Sequence, residues 1–145
     1  KPQPPIVIPK PDITFYEIDS QIIKDELKSL NILIPLGLFD VPIYYYTTLW
    51  GIQEAVRYCR EIYPFPKYQT AIMDCDDFAI LMSALISAEF GINGFGIALG
   101  YVPNGYHAFG IARVEDRWVF VEPQTGEVFE MNDTNKGYDC DRVII

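Results

Sequence analysis

Three side chains in this sequence are of types that can perform covalent chemistry together. His107 is the only histidine among the 145 residues, and imidazole is the side chain that ordinarily exchanges a proton near neutral pH. Cys75 precedes it and Glu122 follows it. This order of thiol, imidazole and carboxylate is that of a nucleophile, a general base and an acid that orients the base. The sequence therefore predicts a candidate triad of Cys75, His107 and Glu122.

Each of these residues also has an ordinary structural explanation. Cys75 could be a buried spacer at the start of a capped helix, and the three aspartates around it add negative charge that works against a thiolate. A lone strand histidine such as His107 is more often a satisfied core or surface residue. Glu122 could be an exposed acid at the end of a strand. Each residue alone is weak evidence for an active site, and the three residues in this order are stronger evidence.

The helix that begins at Cys75 is the element with the clearest boundaries. Asp74 is a suitable N-cap and Gly91 occupies the usual C′ place, so the pattern predicts a helix over 75–90. A thiol in the first turn faces unpaired backbone N–H groups and the positive end of the helix dipole, which favour the thiolate. The helix is apolar nearly all round, which predicts a buried central position.

Two shorter helices are predicted before this one. Ser20 is a plausible N-cap for a helix over 21–30, and a threonine at 47 or 48 can cap a second helix that ends near Ile62. Between the two helices the sequence predicts an apolar loop that contains Pro and Gly and continues through Pro42.

After Gly91 the pattern changes to runs rich in Val, Ile, Phe and Tyr, broken by turn signals. The predicted strands are 95–102, 106–114, 117–121 and 128–131, and a further strand over 142–145 would extend the sheet. Helices followed by an antiparallel meander indicate an α+β fold in which the sheet packs on the Cys75 helix. Across the hairpin, Glu122 can come beside His107 and accept a hydrogen bond from its far ring nitrogen.

Several motifs together resemble the transglutaminase-like cysteine superfamily. They are Cys75-Asp-Asp-Phe-Ala, Gly91-Ile-Asn-Gly, Gly100-Tyr, His107-Ala-Phe and Trp118-Val-Phe-Val-Glu-Pro-Gln-Thr. In that family a Cys begins a helix, a His precedes a small and an aromatic residue on a strand, and a Trp-containing strand ends in an acid before Pro. Glu122 departs from the commoner Asp, and Phe109 from the commoner Trp. The resemblance implies a papain-like core of the type found in bacterial or viral cysteine peptidases.

The resemblance also implies an activity, namely cysteine-dependent acyl transfer or amide hydrolysis. Cys75 would attack an amide carbonyl, His107 would protonate the departing amine, and water or an amine would resolve the thioester. The implied partner is a protein, peptide or peptidoglycan amide. The backbone N–H of Cys75 can supply one oxyanion donor, with Gln69 or Tyr68 as candidates for the second. The alternative is a binding or assembly module that keeps the fold without turnover.

Charge and composition limit the other functions. The formal net charge of −9 leaves no basic stripe, so we expect no nucleic-acid partner. No apolar run approaches the roughly 20 residues that cross a bilayer. Asp, Asn and Gly alternate over 133–141, but the Gly is misplaced for a calcium loop and no bidentate Glu follows. We therefore expect neither a metal nor a cofactor.

The length of the chain is that of one domain. Residues 1–14 predict a proline-rich tether that follows further N-terminal domains, and residues 15–145 form the predicted single domain. The three cysteines are too few for a disulfide framework, although Cys59 and Cys140 could pair in an oxidising compartment. The sequence does not decide between compartments.

Overall fold

A computed structural model describes residues 1–35 and 41–145, and within them the chain folds into three helices and seven strands. In chain order these are β1 (Phe15–Asp19), α1 (Ser20–Ser29), β2 (Ile43–Thr47), α2 (Leu49–Ile62), α3 (Cys75–Phe90), β3 (Phe95–Val102), β4 (Gly105–Val114), β5 (Arg117–Glu122), β6 (Glu127–Glu130) and β7 (Asp139–Ile144). No helix in this part of the chain is both long enough and apolar enough to span a membrane.

The strands form one sheet whose main part is antiparallel. β4 pairs with β3 on one side and β5 on the other, β6 extends the sheet beyond β5, and β7 extends it beyond β3. β1 and β2 form an antiparallel pair that joins β4 through one parallel contact between Thr47 and Val114. The predicted meander from β3 to β6 is confirmed, because turn residues separate its strands at the expected places.

A β-bulge interrupts the pairing of β3 with β7. Leu99 pairs with Arg142 and Gly100 pairs with Cys140, so Asp141 is the extra residue of β7. Gly100 also pairs with His107 on β4. A side chain at position 100 would meet the backbone of β7, since an added Cβ would lie 1.8 Å from the Asp139 carbonyl oxygen. The close approach of β7 therefore requires glycine beside His107.

The helix caps agree with the sequence patterns except at α1. The Asp19 carboxylate accepts the Gln21 N–H at 2.7 Å, so Asp19 rather than the predicted Ser20 is the N-cap of α1. Thr48 caps α2 by accepting the Gly51 N–H at 3.0 Å. Gly91 ends α3 in the left-handed conformation with φ 66°, as predicted.

The sheet separates two hydrophobic clusters, one on each face. α1 contributes Ile23 and Leu27 to the first cluster, whereas α3 contributes Met82 and Ile86 to the second, together with α2. The prediction that α3 is a buried central helix is wrong, because Ile80 is 50% exposed. α3 instead buries one face against β3 and β4.

The cysteines follow the same division between the two clusters. Cys59 lies in the second cluster and Cys140 in the first, and both are free buried thiols. The disulfide that the sequence left open between them does not form in this fold.

The predicted layout of helices first and a meander afterwards is corrected by the structure. β1 precedes α1, and β2 follows it, so a two-stranded unit frames the first helix. Four of the five β1 residues are exposed, which removes the alternation that marks a half-buried strand. The predicted loop through Pro42 falls partly on residues 36–40, which lie outside the described residues.

Candidate functional site

An imidazole and a carboxylate meet at one end of the β4–β5 part of the sheet. His107 lies near the start of β4, and Glu122 is the last residue of β5. Side chains alternate between the two faces of a strand, so His107 shares a face with Phe109 and Glu122 shares it with Phe120. His107 Nε2 lies 2.8 Å from Glu122 Oε2, which is the contact that pairing across the hairpin predicts.

The Glu122 carboxylate is held by three donors. Oε2 accepts from His107 Nε2 at 2.8 Å and from the Tyr138 hydroxyl at 2.9 Å, and Oε1 accepts the Gln124 N–H at 3.2 Å. Burial disfavours the charged carboxylate, but the hydrogen bond and charge of His107 outweigh it with help from the other two donors. The pKa of Glu122 therefore lies below its ordinary value. An ionised carboxylate only accepts hydrogen bonds, so Nε2 carries the shared proton.

The other ring nitrogen of His107 is open. With Nε2 donating to Glu122, Nδ1 can accept a hydrogen bond when the ring is neutral and donate one when the ring is charged. Within the described part of the chain, Nδ1 has no hydrogen-bond partner, and it is not among the buried unpaired polar atoms. The side chain as a whole is 16% exposed. The protein thus fixes one edge of the imidazole and leaves the other accessible.

Tyr138 is a member of this site that the sequence analysis missed. Its ring packs edge-on against Phe109 at 5.0 Å and Phe129 at 4.9 Å between centroids, and against His107 at 6.1 Å. The polar, acidic composition of the segment 133–141 is typical of a solvated loop and gives no sign of a contact with the site. The one signal that could have identified Tyr138 is that it is the single aromatic residue of that polar segment.

Cys75 begins α3, as predicted, and its side chain is partly exposed. α3 packs on β3 and is joined to it by residues 91–94, so the helix runs back along the strand, and its start lies toward the end of β3 that pairs with His107. The body of α3, however, packs on the face opposite to His107. Among the described residues no hydrogen bond joins the Cys75 thiol to the imidazole. A separation of about 4 Å between sulfur and ring nitrogen stays a prediction.

The two candidate oxyanion residues lie in the segment before α3. The Gln69 backbone forms a tight turn, in which its N–H donates to the Met73 carbonyl at 2.8 Å and its carbonyl accepts the Met73 N–H at 2.8 Å. Tyr68 is exposed. Neither side chain makes a hydrogen bond to His107 or Glu122 within the described ranges. Their role as donors stays a prediction.

One group of side chains has ligand atoms close enough for a metal ion. The ligand atoms of Asp74, Cys75 and Asp76 lie within 4.8 Å of one another. Asp74 already accepts the Ala71 N–H at 3.2 Å, and a hydrogen bond with Asp76 raises the pKa of Asp74. Carboxylates this exposed are often close together without an ion, so the group by itself does not define a metal centre.

Glu122→Gln should flatten the acid limb of the stability profile. The folded pKa of Glu122 is lowered, so its ionised form stabilises the fold above the unfolded value of about 4.3, and this stabilisation is lost as the pH falls through the folded pKa. The variant should therefore lose less free energy of unfolding than wild type below about pH 5. Urea unfolding across the acid range measures the difference. Glu17→Gln, at an exposed strand position, is the control. If the free energy of unfolding depends on pH in the same way in wild type and in Glu122→Gln, the folded protein does not lower the pKa of Glu122.

The fold is similar to solved structures of the Polyporus squamosus lectin. One, described as a complex of PSL1a with E64, has a TM-score of 0.65 and 19% identity, covering 89% of this chain and 51% of that chain. Another, the lectin bound to the human-type influenza-binding epitope Neu5Acα2-6Galβ1-4GlcNAc, has a TM-score of 0.54 and 18% identity, covering 85% and 48%. This chain spans about half the length of both. No protein-family model and no curated protein matches it.

These matches correct the predicted family and fold class. The solved structures named here belong to a lectin and not to the transglutaminase-like cysteine superfamily, so the predicted α+β transglutaminase-like, papain-like core does not stand. The resemblance rested on local features, namely a capped helix with a first-turn cysteine and a hairpin whose second strand ends in an acid. Such features recur on unrelated folds, so their spacing could not identify the family.

The predicted activity is corrected with the family that implied it. The predicted cysteine-dependent acyl transfer or amide hydrolysis is wrong, because the matching structures belong to a lectin. The peptidase, amidase or acyltransferase that this activity implied is wrong for the same reason. The peptide or peptidoglycan amide partner is also withdrawn, because the molecules named with the matching structures are E64 and a glycan epitope. At 19% and 18% identity the likeness concerns the fold alone, and the chain is similar in fold to about half of the Polyporus squamosus lectin chain.

Proposed function

We propose that this domain is a ligand-binding domain whose binding site surrounds the open edge of His107. The observation that supports this most directly is the fixed imidazole, whose Nε2 is held by Glu122 while Nδ1 remains accessible. A polar group with one orientation and one free hydrogen-bonding atom is a typical anchor in a small-molecule site. Its orientation is set before the ligand arrives, which lowers the entropic cost of binding.

The surroundings of His107 favour a small polar ligand. The imidazole stacks on Phe109 at 6.0 Å between centroids, and Tyr138 stands edge-on beside it. Phe109 is fully buried beneath the imidazole, whereas Tyr138 is partly exposed beside it, so an aromatic surface adjoins the fixed polar group, as is common in ligand pockets. Both matching structures are also described with a small molecule bound, E64 in one and a glycan epitope in the other. A binding function for this chain agrees with both.

We include Cys75, His107 and Glu122 in the proposed site. Glu122 orients the ring, His107 presents Nδ1 to the ligand, and Cys75 borders the site from the start of α3. The direction of α3 relative to β3 supports this last placement. Of the three thiols, Cys75 is the one that is not buried, whereas burial raises the pKa of Cys59 and of Cys140 to about 12.

The single imidazole provides the test. In a chain labelled with ¹⁵N-histidine, every imidazole signal belongs to His107. We expect saturable shifts of these signals when E64 or Neu5Acα2-6Galβ1-4GlcNAc is added, and a matching affinity by calorimetry. His107→Gln is the matched variant, since its amide can keep the contact with Glu122 but has no atom at the Nδ1 position. It should bind neither molecule. Wild-type signals that move with neither molecule would overturn the proposal.

The role of Cys75 is tested separately from that of His107. Cys75→Ser should weaken E64 binding, whereas Cys59→Ser, inside the second cluster, should not. Intact-mass spectrometry after denaturation shows whether any E64 stays attached to the chain, and peptide mapping shows where. Equal E64 binding by wild type and Cys75→Ser would remove Cys75 from the site and leave the His107 proposal in place.

A further inference from the structure

Tyr138 and His107 bond the same oxygen of the same carboxylate. The Tyr138 hydroxyl donates to Glu122 Oε2 at 2.9 Å, and His107 Nε2 donates to that oxygen at 2.8 Å. The side chain of Glu122 is only 10% exposed, so water cannot readily replace either donor. Any rotation of the carboxylate away from Tyr138 would therefore also move the acceptor of the His107 bond.

The ring of Tyr138 is held in place independently of its hydroxyl. Phe109 and Phe129 both contact it edge-on, with centroids 5.0 Å and 4.9 Å away. These edge-to-face contacts fix the ring and so determine where the hydroxyl points. Burial, followed by the hydrogen bond to Glu122, raises the pKa of Tyr138, so the hydroxyl remains a donor across the physiological range.

The segment that carries Tyr138 is also ordered by local hydrogen bonds. The Asp133 carboxylate accepts the Asn135 N–H at 3.0 Å, and the Asp133 carbonyl accepts the Lys136 N–H at 3.1 Å. Gly137 has φ 67°, a left-handed conformation that reverses the chain just before Tyr138. The turn therefore delivers Tyr138 to Glu122 from a part of the chain that follows both strands of the site.

We propose that Tyr138 is a positioning residue for the site at His107: its hydroxyl holds the Glu122 carboxylate so that Oε2 faces Nε2 and Nδ1 remains free. Without this hydroxyl, Glu122 can rotate, and the imidazole loses the partner that selects the Nε2–H form of the ring. The consequence for ligand affinity rests on the proposed function. The orientation of the Glu122 carboxylate and the protonated form of the His107 ring do not depend on the proposed function, and both can be measured without any ligand.

Tyr138→Phe tests this with the ring packing retained. In the ligand-free variant, the ¹⁵N shifts of the single imidazole should show a larger share of the Nδ1–H form than in wild type. The ¹³C titration of the Glu122 carboxyl should move to higher pH, because the Tyr138 hydrogen bond lowers the pKa of Glu122. If wild type binds E64 or Neu5Acα2-6Galβ1-4GlcNAc, the affinity of the variant should fall about fivefold, the usual effect of one lost hydrogen bond.

Tyr58→Phe is the matched control, since Tyr58 packs against Phe90 on the other side of the sheet. Tyr58→Phe should change neither the ¹⁵N shifts of the imidazole nor the ¹³C titration of the Glu122 carboxyl. A measurement on wild type needs no variant: the Tyr138 hydroxyl proton should exchange slowly and show a nuclear Overhauser effect to the Nε2 proton of His107.

The outcomes separate the two proposals. If Tyr138→Phe changes neither the imidazole ¹⁵N shifts nor the ¹³C titration of Glu122, Tyr138 is only a packing residue. That result would overturn the inference, whether or not the protein binds a ligand. Changed spectra in a protein that binds neither molecule would support the positioning role while removing the proposed function. A fast-exchanging Tyr138 hydroxyl in wild type would also contradict the inference.

Discussion

Glu26→Ala is expected to lower the free energy of unfolding by about 3 kcal/mol, because it removes the carboxylate partner of a buried guanidinium. The Glu26 carboxylate accepts from Arg113 Nε and Nη2, both at 2.9 Å, and from Trp118 Nε1 at 2.9 Å. Arg113 is only 7% exposed. Removing the acid leaves Nε and Nη2 of Arg113 and the indole N–H of Trp118 without their acceptor on the α1 face of the sheet, and Arg113 keeps only its Nη1 bond to the Glu115 carbonyl among these hydrogen bonds. Urea unfolding followed by tryptophan fluorescence measures the loss.

Two variants control this result. Glu26→Gln keeps an acceptor for Trp118 but loses the negative charge. Its free energy of unfolding should therefore lie between those of wild type and Glu26→Ala. Glu61→Ala removes one partner of Arg57 on the surface of α2, where Arg57 is 44% exposed, and should cost less than about 1 kcal/mol. If Glu26→Ala costs no more than Glu61→Ala, the pair with Arg113 does not anchor α1 to the sheet.

Gly100→Ala is expected to lower the free energy of unfolding by about 2 to 4 kcal/mol and to disturb the His107 site. The added methyl group would lie 1.8 Å from the Asp139 carbonyl oxygen, which belongs to the backbone of β7 and cannot move without breaking strand pairing. Gly100 also pairs with His107. Denaturant unfolding and the imidazole spectrum should therefore change together.

Gly91→Ala separates this steric effect from the effect of losing a glycine. An added Cβ at Gly91 has nothing within 4 Å, and the cost arises only from its φ of 66°. We expect a loss of about 1 kcal/mol and an unchanged imidazole spectrum. A Gly100→Ala variant as stable as Gly91→Ala would mean that β7 can shift away without cost.

The sequence by itself determined the elements whose signals are local. Thr48 and Gly91 fix the ends of α2 and α3 through hydrogen bonds within one turn of the chain. The turn signal at Pro103-Asn104-Gly105 and the runs rich in Val, Ile, Phe and Tyr placed β3 to β6 in order. That register also brings Glu122 near His107, since both lie on strands of one meander. Each of these inferences needs only neighbours in sequence or across one hairpin.

The tertiary structure alone decided what depends on distant parts of the chain. β1 and β2 are stabilised by pairing with each other, and β2 also by its contact with β4, rather than by an alternating pattern, so their sequences gave no clear strand signal. Tyr138 joins the site because the turn after β6 returns it to Glu122, and no local pattern encodes that contact. The face on which α3 packs, opposite to His107, also follows from the assembled sheet. The likeness to half of a lectin chain required the whole fold, because short motifs are shared by unrelated folds while the arrangement of all the strands is not.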